Sequence, residues 1–395
     1  MGERIVLGFG GNTDYEIEWD SQVFEKMIGE LAVADSELDT GRPISSTRDL
    51  LISILGFLKS GAGGERFVDS PSIIEDFAGR FRYKITIGGT CVRAAIAMRK
   101  LGYTSALHLV TINDHVRRLI PQDSPWVSSN DKDSSYPHLI IQFGKGTCVQ
   151  GGDIAIRAER ANRIIYDNDY DHIVMRINPG FAALVSGARV FLVSGFNAMQ
   201  SSALLADRLE VLLGIMGALP PDALVFYEDA GFHDPALSAQ IRRALIDKID
   251  VYSLNEDELQ GHVGRKVSLL DAVDVLGALQ DLARVLPGPE LVVHTQYWAL
   301  VFGPGAAGYA RALKGGVTMA TTRFRFGDDF TAADYRDTSE LPPAAGGAAF
   351  GAEIGRLAAD SVCCIPSFQV REDRVTTIGL GDAFVGGFLP ALAER

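Results

Sequence analysis

The sequence is poor in cysteine and in positive charge, and it has no long hydrophobic run. Its four cysteines (Cys91, Cys148, Cys363 and Cys364) show no CxxC spacing, so we expect reduced thiols rather than a zinc site or a disulfide framework. The chain carries 37 Lys and Arg against 50 Asp and Glu, a formal net charge of −13, whereas proteins that bind nucleic acids usually carry a basic excess. No apolar run reaches the roughly 18 residues of a membrane span. We therefore expect no nucleic-acid partner and no membrane partner.

Two missing motifs narrow the class of enzyme. The sequence has no GxxxxGK[ST] segment, which argues against a P-loop nucleotide-binding protein. It also lacks the HRD and DFG motifs of protein kinases. The first residues, MGERIVLGFGGNTD, indicate a short strand that runs into a glycine turn rather than a secretory leader. We expect a cytoplasmic protein.

What the sequence does contain is an alternation of apolar, β-rich stretches with helical patterns. The candidate strands cover residues 105–111, 188–196, 223–230, 248–255 and 290–302, and helical patterns such as 91–101, 202–213 and 235–246 lie between them. Continuous apolar strands separated by helices predict an α/β fold with a mostly parallel central sheet and helices on both faces. Ligands bind such sheets beyond the carboxyl ends of the strands. Residues 342–353, rich in Gly and Ala, are interpreted as a loop.

Two regions interrupt this alternation. Residues 136–172 contain two candidate strands, 138–143 and 153–169, in which polar and apolar positions alternate. Such alternation is typical of antiparallel strands with one face in solvent. We predict that residues 12–85 and 136–172 form a smaller, β-rich lid. The main domain would then consist of residues 1–11, 86–135 and 173–395.

The segment GLGD at residues 379–382 lies directly before an apolar run with helical character. If a helix begins there, its unpaired N–H groups and positive end can hold a phosphoryl group, and Gly379 and Gly381 leave room for it. Asp382 could then accept the proton of an attacking hydroxyl group. The alternative is a glycine-rich turn in which Asp382 only caps the helix.

A second acidic segment, SLNEDELQG, places Asn255 and Glu258 three residues apart, on one side of a helical first turn. An amide and a carboxylate so placed suit Mg²⁺, which prefers oxygen ligands and keeps several waters. The alternative is a capping box, with Asn255 as the N-cap and Glu258 at the third helical position. Glu228, where an apolar strand ends, is a further candidate metal ligand, and an exposed loop acid is its alternative.

The amino-terminal half offers groups that suit a polyhydroxylated ligand. Asn12 and Asp14 follow the first strand, and Gly88 and Gly89 precede an alanine-rich helix. Directional donors and acceptors beside bare backbone are what such a ligand requires. Further polar candidates on the proposed lid are Glu65, His138 and Gln142. Turn chemistry and surface exposure explain each of these residues singly.

Basic and aromatic candidates lie in two other stretches. Arg157, Arg160 and Arg163 cluster on the second lid strand; an arginine fork matches phosphate oxygens, and a solvated charge on an edge strand is the alternative. His294 and Thr295 lie inside an apolar strand pattern.

In this order, these motifs resemble those of the ADP-dependent sugar kinases, the glucokinase and phosphofructokinase branch of the ribokinase superfamily. The resemblance covers nearly the full length, with N-T-D at 12–14, G-G at 88–89, N-x-x-E at 255–258 and G-x-G-D at 379–382. The family also has an H-x-E motif ahead of N-x-x-E. Here Phe226 stands where that histidine would be, and only Glu228 is kept. The resemblance implies a ribokinase-like fold.

The resemblance also implies roles for named residues. Asp382 would be the catalytic base, with an anion hole formed by Gly379, Leu380 and Gly381. The sugar would be held by Asn12, Asp14, Gly88 and Gly89, with help from Glu65 and His138 of the lid. Mg²⁺ would be positioned through waters by Glu228, Asn255 and Glu258. Contacts to the nucleotide or a phosphate would come from Arg163, His294 and Thr295.

We therefore predict a Mg²⁺-dependent kinase that transfers a phosphoryl group from ADP to a hexose or hexose phosphate, either glucose or fructose 6-phosphate. In the family a lid glutamate favours glucose, and Glu65 resembles it, whereas Arg157 and Arg160 could bind a 6-phosphate. Two alternatives stay open. One is an ATP-dependent, ribokinase-type carbohydrate or nucleoside kinase, and the other is a catalytically silent protein that binds a sugar or nucleotide.

Overall fold

The fold contains two main β-sheets, one much larger than the other. The computed structural model describes residues 4–232, 234–372 and 375–394. The strands are β1 Ile5–Gly10, β2 Asn12–Ile17, β3 Gly64–Phe67, β4 Tyr83–Gly88, β5 Ala106–Leu109, β6 Trp126–Ser128, β7 His138–Phe143, β8 Cys148–Gly151, β9 Ile154–Arg157, β10 Asn162–Asp167, β11 Val190–Val193, β12 Leu224–Glu228, β13 Val251–Asn255, β14 Glu290–His294, β15 Trp298–Phe302 and β16 Val362–Pro366. The α-helices are α1 Ser21–Leu31, α2 Thr47–Ser60, α3 Pro71–Ala78, α4 Thr90–Lys100, α5 Asp114–Leu119, α6 Tyr170–Val174, α7 Phe181–Val185, α8 Ser202–Met216, α9 Pro235–Leu245, α10 Glu256–Val263, α11 Ala272–Val285, α12 Ala310–Phe326, α13 Ala332–Ser339, α14 Ala345–Leu357 and α15 Leu380–Ala393.

The large sheet has nine strands in the order β16-β15-β14-β13-β12-β11-β1-β5-β6. All neighbouring pairs from β14 to β6 are parallel, and β15 is antiparallel to both of its neighbours. The central strands are buried along their whole length because apolar side chains cover both faces; Val6 and Phe9 pack on one face, and Ile5 and Leu7 on the other. Helices α7, α8, α9 and α11 cover the first face, and α4, α12 and α15 cover the second. The predicted α/β architecture, a mostly parallel central sheet with helices on both faces, is confirmed.

The small sheet has five strands in the order β3-β10-β7-β2-β4. One face packs on helices α1 to α3, with Leu139, Ile141 and Tyr166 in that core. The intervening positions of β7 include the polar residues His138 and Gln142, which contact Asn12 and Thr377 outside that core. The sheet is mixed: β7 pairs antiparallel with β10 and parallel with β2. The expectation of antiparallel strands was therefore only partly right, and the exact limits of a lid domain stay a prediction.

Three element predictions were wrong. Residues 153–169 form two strands, not one, because the chain bends at 158–161; β9 pairs with β8 in a separate ribbon, and β10 joins the small sheet. Residues 290–302 form an antiparallel hairpin, in which the Thr295 hydroxyl accepts backbone N–H groups and closes the turn. Residues 345–357 form α14 instead of a loop, since Phe350 and Ile354 lie on one helical face and are buried.

Among the described residues, no helix is long and apolar enough to cross a membrane.

Candidate active site

The candidate site lies where the carboxyl ends of the parallel strands meet the polar face of the small sheet. Glu228 ends β12, Asn255 ends β13 and His294 ends β14. On the other side of this edge, Asn12 begins β2 immediately after β1, and helix α15 begins at Leu380. The fold thus brings residues from both ends of the chain to the strand ends where α/β sheets bind ligands.

Asp382 lies in the first turn of α15, whose N-cap is Gly379 in the left-handed conformation (φ 64°). No side chain caps this helix, so the N–H groups of its first turn point towards the site without intrahelical partners. The hydroxyl of Thr90 donates to Oδ1 of Asp382 at 2.8 Å. Oδ2 lies 3.8 Å from Nε of Arg93, and the carboxylate side chain keeps 22% exposure. Asp382 is therefore held on one side and open to the cleft on the other.

The two glycines beside Asp382 differ in what they permit. A Cβ at Gly379 would lie 3.0 Å from the Arg93 side chain, and its positive φ already disfavours other residues. A Cβ at Gly381 would meet Cε1 of His294 at 3.5 Å, an ordinary contact. Packing thus explains glycine at 379, whereas at 381 the protein itself has room for a methyl group. The space above Gly381 is available to a ligand.

His294 connects this helix end to the acids of the mid-chain. Its Nε2 lies 3.0 Å from Oε1 of Glu228, and its ring packs on Phe384 of α15 with centroids 4.7 Å apart. Burial lowers the pKa of His294, but the bond to Glu228 and the charges of Glu256 and Asp382 outweigh it and raise that pKa above its ordinary value. Glu228 and Asp382 therefore flank one imidazole.

Asn255 and Glu258 form a capping box at the start of α10. The Asn255 backbone and side-chain N–H groups donate to the two oxygens of Glu258 at 2.8 and 3.0 Å, and Asn255 Oδ1 accepts two backbone N–H groups. Burial raises the pKa of Glu258 well above its usual range, and the nearby charges of Asp229 and Glu228 add to the rise. The structure thus contains the capping box that was the alternative interpretation. It also places Glu258 close to two other buried acids, and a bound cation would offset their mutual repulsion.

These acids suit a hydrated cation better than a directly chelated one. Oε2 of Glu228 is buried and has no hydrogen-bond partner among the described residues, and the donors are oxygens, which Mg²⁺ prefers. However, within the described part of the chain, the group of His, Cys, Asp and Glu whose ligand atoms converge within 4.8 Å is His138, Asp169 and His172, and not these acids. Contacts through water match the wider spacing.

The predicted sugar residues lie together beside the first strand of the small sheet. Asn12 Nδ2 donates to Asp14 Oδ1 at 2.5 Å, and Arg93 donates to Asp14 Oδ2 at 2.8 Å. Burial raises the pKa of Asp14, and the charge of Arg93 opposes the rise. A Cβ at Gly88 would lie 2.4 Å from Asn12 Nδ2, and one at Gly89 would lie 2.6 Å from a backbone nitrogen. Backbone packing therefore requires glycine at 89, whereas a side chain at 88 would displace the Asn12 and Asp14 side chains.

Two lid residues, Glu65 and Arg163, face the same cleft. Glu65 on β3 keeps solvent contact, but partial removal from water raises its pKa; Arg163 and His138 oppose this rise, and the charge of Asp382 adds to it. Within the part of the chain that the structure describes, the Arg163 guanidinium has no ion pair or hydrogen bond. A carboxylate and a cation from the lid thus lie within electrostatic reach of the helix α15 end.

The small sheet also contacts the loop before GLGD directly. Gln142 Oε1 accepts the backbone N–H of Thr377 at 3.0 Å and the hydroxyls of Thr376 and Thr377 at 3.3 Å. The small sheet is therefore hydrogen-bonded to the segment that precedes Gly379.

Three predicted residues are placed away from this arrangement. Arg157 lies on the β8–β9 ribbon and Arg160 packs its stem on Gly61, so neither joins Arg163. The Thr295 hydroxyl is occupied by the hairpin turn.

Sequence reasoning missed Arg93 and Thr90. Arg93 is only 7% exposed and contacts Asp14, Glu16 and Asp382. The available signal was an arginine in the first half of the helix after Gly89, among apolar residues and away from the basic last turn.

Residues 3–266 match the family model described as the ADP-specific phosphofructokinase/glucokinase conserved region. The chain belongs to this family. Its members are ADP-dependent sugar phosphotransferases, and the predicted enzyme class is confirmed. The match includes Asn255 and Glu258 but ends before GLGD. A comparison with curated proteins gives no match.

Solved structures of the ADP-specific kinases share the fold at low identity. One is a hypothetical ADP-dependent phosphofructokinase from Pyrococcus horikoshii OT3, with 18% identity, a TM-score of 0.74, and coverage of 100% of this chain and 99% of that one. Another is an ADP-dependent kinase in complex with fructose 6-phosphate and ADPβS, with 14% identity, a TM-score of 0.75, and coverage of 99% and 94%.

Proposed function

We propose that this ADP-dependent kinase transfers the β-phosphoryl group of ADP to a hydroxyl of a hexose or hexose phosphate. The sugar oxygen forms a bond to the β-phosphorus, the bond from that phosphorus to the bridging oxygen breaks, AMP leaves, and Asp382 takes the hydroxyl proton. The single observation that carries the proposal is the position of Asp382 between the sugar-side pair Asn12 and Asp14 and the His294–Glu228 pair.

The residues around Asp382 suit phosphoryl transfer, which depends mostly on positioning and charge stabilisation. The first-turn N–H groups of Leu380, Gly381 and Asp382 would donate to the transferred group. Thr90 holds one carboxylate oxygen at 2.8 Å, which leaves the other to receive the proton. His294, whose pKa lies above its ordinary value because its interaction with Glu228 outweighs burial, places its imidazole beside Gly381.

Mg²⁺ fits the acids at the other side of the cleft. Glu228, Asn255 and Glu258 would hold it through waters, and the unpartnered oxygen of Glu228 would orient one of these waters. When bound, the ion neutralises phosphate charge. Without the ion, burial and the nearby charges of Asp229 and Glu228 raise the pKa of Glu258.

The sugar would lie over Gly88, where Asn12 and Asp14 provide a donor and an acceptor, with Glu65 closing from the lid and His138 supporting Asn12. Glu65 would accept a hydroxyl of an unphosphorylated sugar, and the unpaired Arg163 would contact a phosphate of the nucleotide or of the sugar. Glucose and fructose 6-phosphate both satisfy these groups.

The test is a matrix of two donors, ADP and ATP, against glucose and fructose 6-phosphate, with AMP, sugar phosphate and ADP measured as products. We expect AMP and sugar phosphate in equal amounts with ADP as the donor. Turnover with ATP alone would favour the ribokinase-type alternative. Nucleotide binding without AMP release on either sugar would favour the silent alternative.

A further inference from the structure

A group of three residues, His138, Asp169 and His172, lies beside the sugar-side pair, and the proposed function uses only His138. His138 is the first residue of β7, Asp169 is the N-cap of α6, and His172 lies in α6. Oδ2 of Asp169 lies 3.2 Å from Nε2 of His138 and 2.8 Å from Nδ1 of His172. Asp169 has 0% exposure. One carboxylate oxygen thus faces two imidazole rings.

The other ring nitrogen of His138 contacts the sugar-side pair. Nδ1 lies 3.1 Å from Nδ2 of Asn12, and the same amide nitrogen donates to Asp14. Because the Asp14 carboxylate can only accept, Asn12 presents N–H groups to both neighbours. Nδ1 of His138 is then an acceptor, and the ring proton lies on Nε2 and is donated to Asp169.

The charges around His138 strengthen its bond to Asp169 and raise its affinity for a second proton. Burial lowers the pKa of His138, but the bond to Asp169 and the charges of Asp167 and Asp14 outweigh it and raise that pKa to about 9. Oδ1 of Asp167 is buried without a partner among the described residues. A second proton on the ring would sit on Nδ1 and would turn Asn12, but Nε2 keeps its proton in either charge state.

The three ligand atoms lie within 4.8 Å of one another, a spacing that could also hold a transition metal ion. A metal on Nε2 would move the ring proton to Nδ1, where it would face an N–H group of Asn12. The Asn12 contact therefore favours a proton, not a metal ion, between His138 and Asp169.

We propose that Asp169 is a positioning residue of the sugar site. It holds His138 with the proton on Nε2, so that Nδ1 fixes the amide of Asn12 and, through it, the carboxylate of Asp14. His172 donates to the same oxygen and holds Asp169 in place. This role rests on the proposed function, since it supposes that Asn12 and Asp14 bind the sugar.

The first test is Asp169→Asn. Asn is as good an N-cap as Asp, so its oxygen can still accept the His172 backbone N–H, but its amide group would oppose the two ring N–H groups. We expect kcat/KM for the sugar to fall about 10- to 100-fold, by analogy with the loss of a hydrogen-bond partner of a metal-binding histidine, with KM for ADP unchanged. The matched control is Asp171→Asn, a buried carboxylate of the same helix that bonds to Thr111 and Ser134.

A double-mutant cycle separates the proposed action of Asp169 through His138 from general effects of the substitution on folding. In a His138→Gln background, Asp169→Asn should lower kcat/KM for the sugar little further, because the effects of substituting residues that act as a unit are not additive. Full additivity of the two losses would overturn the positioning role, as would an unchanged KM for the sugar in Asp169→Asn.

The second readout needs no catalysis. Long-range ¹H–¹⁵N spectra of histidine-labelled protein, recorded above the His138 pKa of about 9 so that the ring is neutral and with His138 assigned by His138→Gln, should show Nε2 protonated in the wild type and a shift towards Nδ1–H in Asp169→Asn. An Nδ1–H tautomer in the wild type, or Zn²⁺ binding lost in Asp169→Asn, would overturn the proposal. If no sugar is phosphorylated, the proposed function fails, and the tautomer still decides whether Asp169 fixes His138.

Discussion

Nε2 of His294 lies 3.0 Å from Oε1 of Glu228, although 66 residues separate them. The pair joins the ends of β12 and β14 across β13, and the imidazole also faces Gly381. Through this contact the acids of the mid-chain and the helix that carries Asp382 belong to one site. The histidine that the H-x-E motif would place at position 226 is replaced by Phe226, which is buried in the core; here an imidazole reaches Glu228 from a neighbouring strand.

The His294–Glu228 pair should stabilise the fold in a pH-dependent way. Because the folded pKa of His294 is raised, its contribution is complete below the unfolded pKa of about 6.5 and is lost as the pH rises through the folded pKa. Gln can donate to Glu228 but carries no charge. In urea unfolding without Mg²⁺, the substitution His294→Gln should lower the free energy of unfolding by about 1 kcal/mol more at low pH than at high pH. Equal losses would contradict this, and His115→Gln is the control.

Gly381 should be needed for the ligand rather than for the fold. Ala fits sterically and is the better helix former, so Gly381→Ala should not lower the free energy of unfolding. The added methyl would occupy the space where the phosphoryl group is proposed to lie, and kcat/KM should fall at least about 10-fold, a loss of about 1.4 kcal/mol. Gly355→Ala in α14, where a Cβ meets no atom within 4 Å, is the control. Retained activity in Gly381→Ala would place the ligand elsewhere.

Arg93 should be essential for stability. It pairs with Asp14 at 2.8 Å and lies 3.6 Å from Glu16, and all three are buried. Arg93→Met leaves buried carboxylates unpaired and should cost about 3–5 kcal/mol, measured by denaturant unfolding. Adding Asp14→Asn should restore part of that loss. The exposed pair Arg80–Glu30 is the comparison, since Arg80→Met should cost less than about 1 kcal/mol. A small loss for Arg93→Met would show that water reaches these acids.

Gln142 should couple the lid to the catalytic loop. Its side-chain oxygen accepts from Thr377 and Thr376, and Gln142→Met keeps the size but removes the acceptor. We expect the lid to close less completely, so that the ratio of AMP released to sugar phosphate formed rises above that of the wild type, because water reaches the nucleotide. Gln150→Met, at an exposed position of β8, should leave the ratio unchanged. An unchanged ratio in both variants would mean that the contact does not control closure.

Much of the large sheet follows from local sequence. The strands around Val190 and Val251 are buried on both faces, so their apolar runs are continuous and identify them directly. Helix α14 was missed because its Gly and Ala content resembles a loop, and only burial of Phe350 and Ile354 against the sheet makes it a helix. The hairpin at Thr295 was missed because two adjacent apolar strands read as one.

The local structure around a site residue was predictable where a short sequence motif determines it. Asp382 at a helix start and Asn255 with Glu258 in a capping box are visible in the sequence. The contacts of Arg93 and Asp169 are not, because their partners are distant along the chain: Arg93 and Asp382 are 289 positions apart by their numbers, and the pairing depends on how α4 packs on α15. Tertiary packing, and not local pattern, decides such residues.

The central claim is that Asp382 accepts the proton of the sugar hydroxyl during transfer from ADP. Rapid-quench single-turnover formation of AMP, with saturating sugar and with enzyme in excess of ADP, measures that step directly in the wild type and in Asp382→Asn, with the exposed Asp76→Asn as the control. The account predicts a fall of about 10²- to 10⁴-fold for Asp382→Asn, with sugar and ADP binding retained and the control unchanged. A rate in Asp382→Asn within a few-fold of the wild type would contradict it.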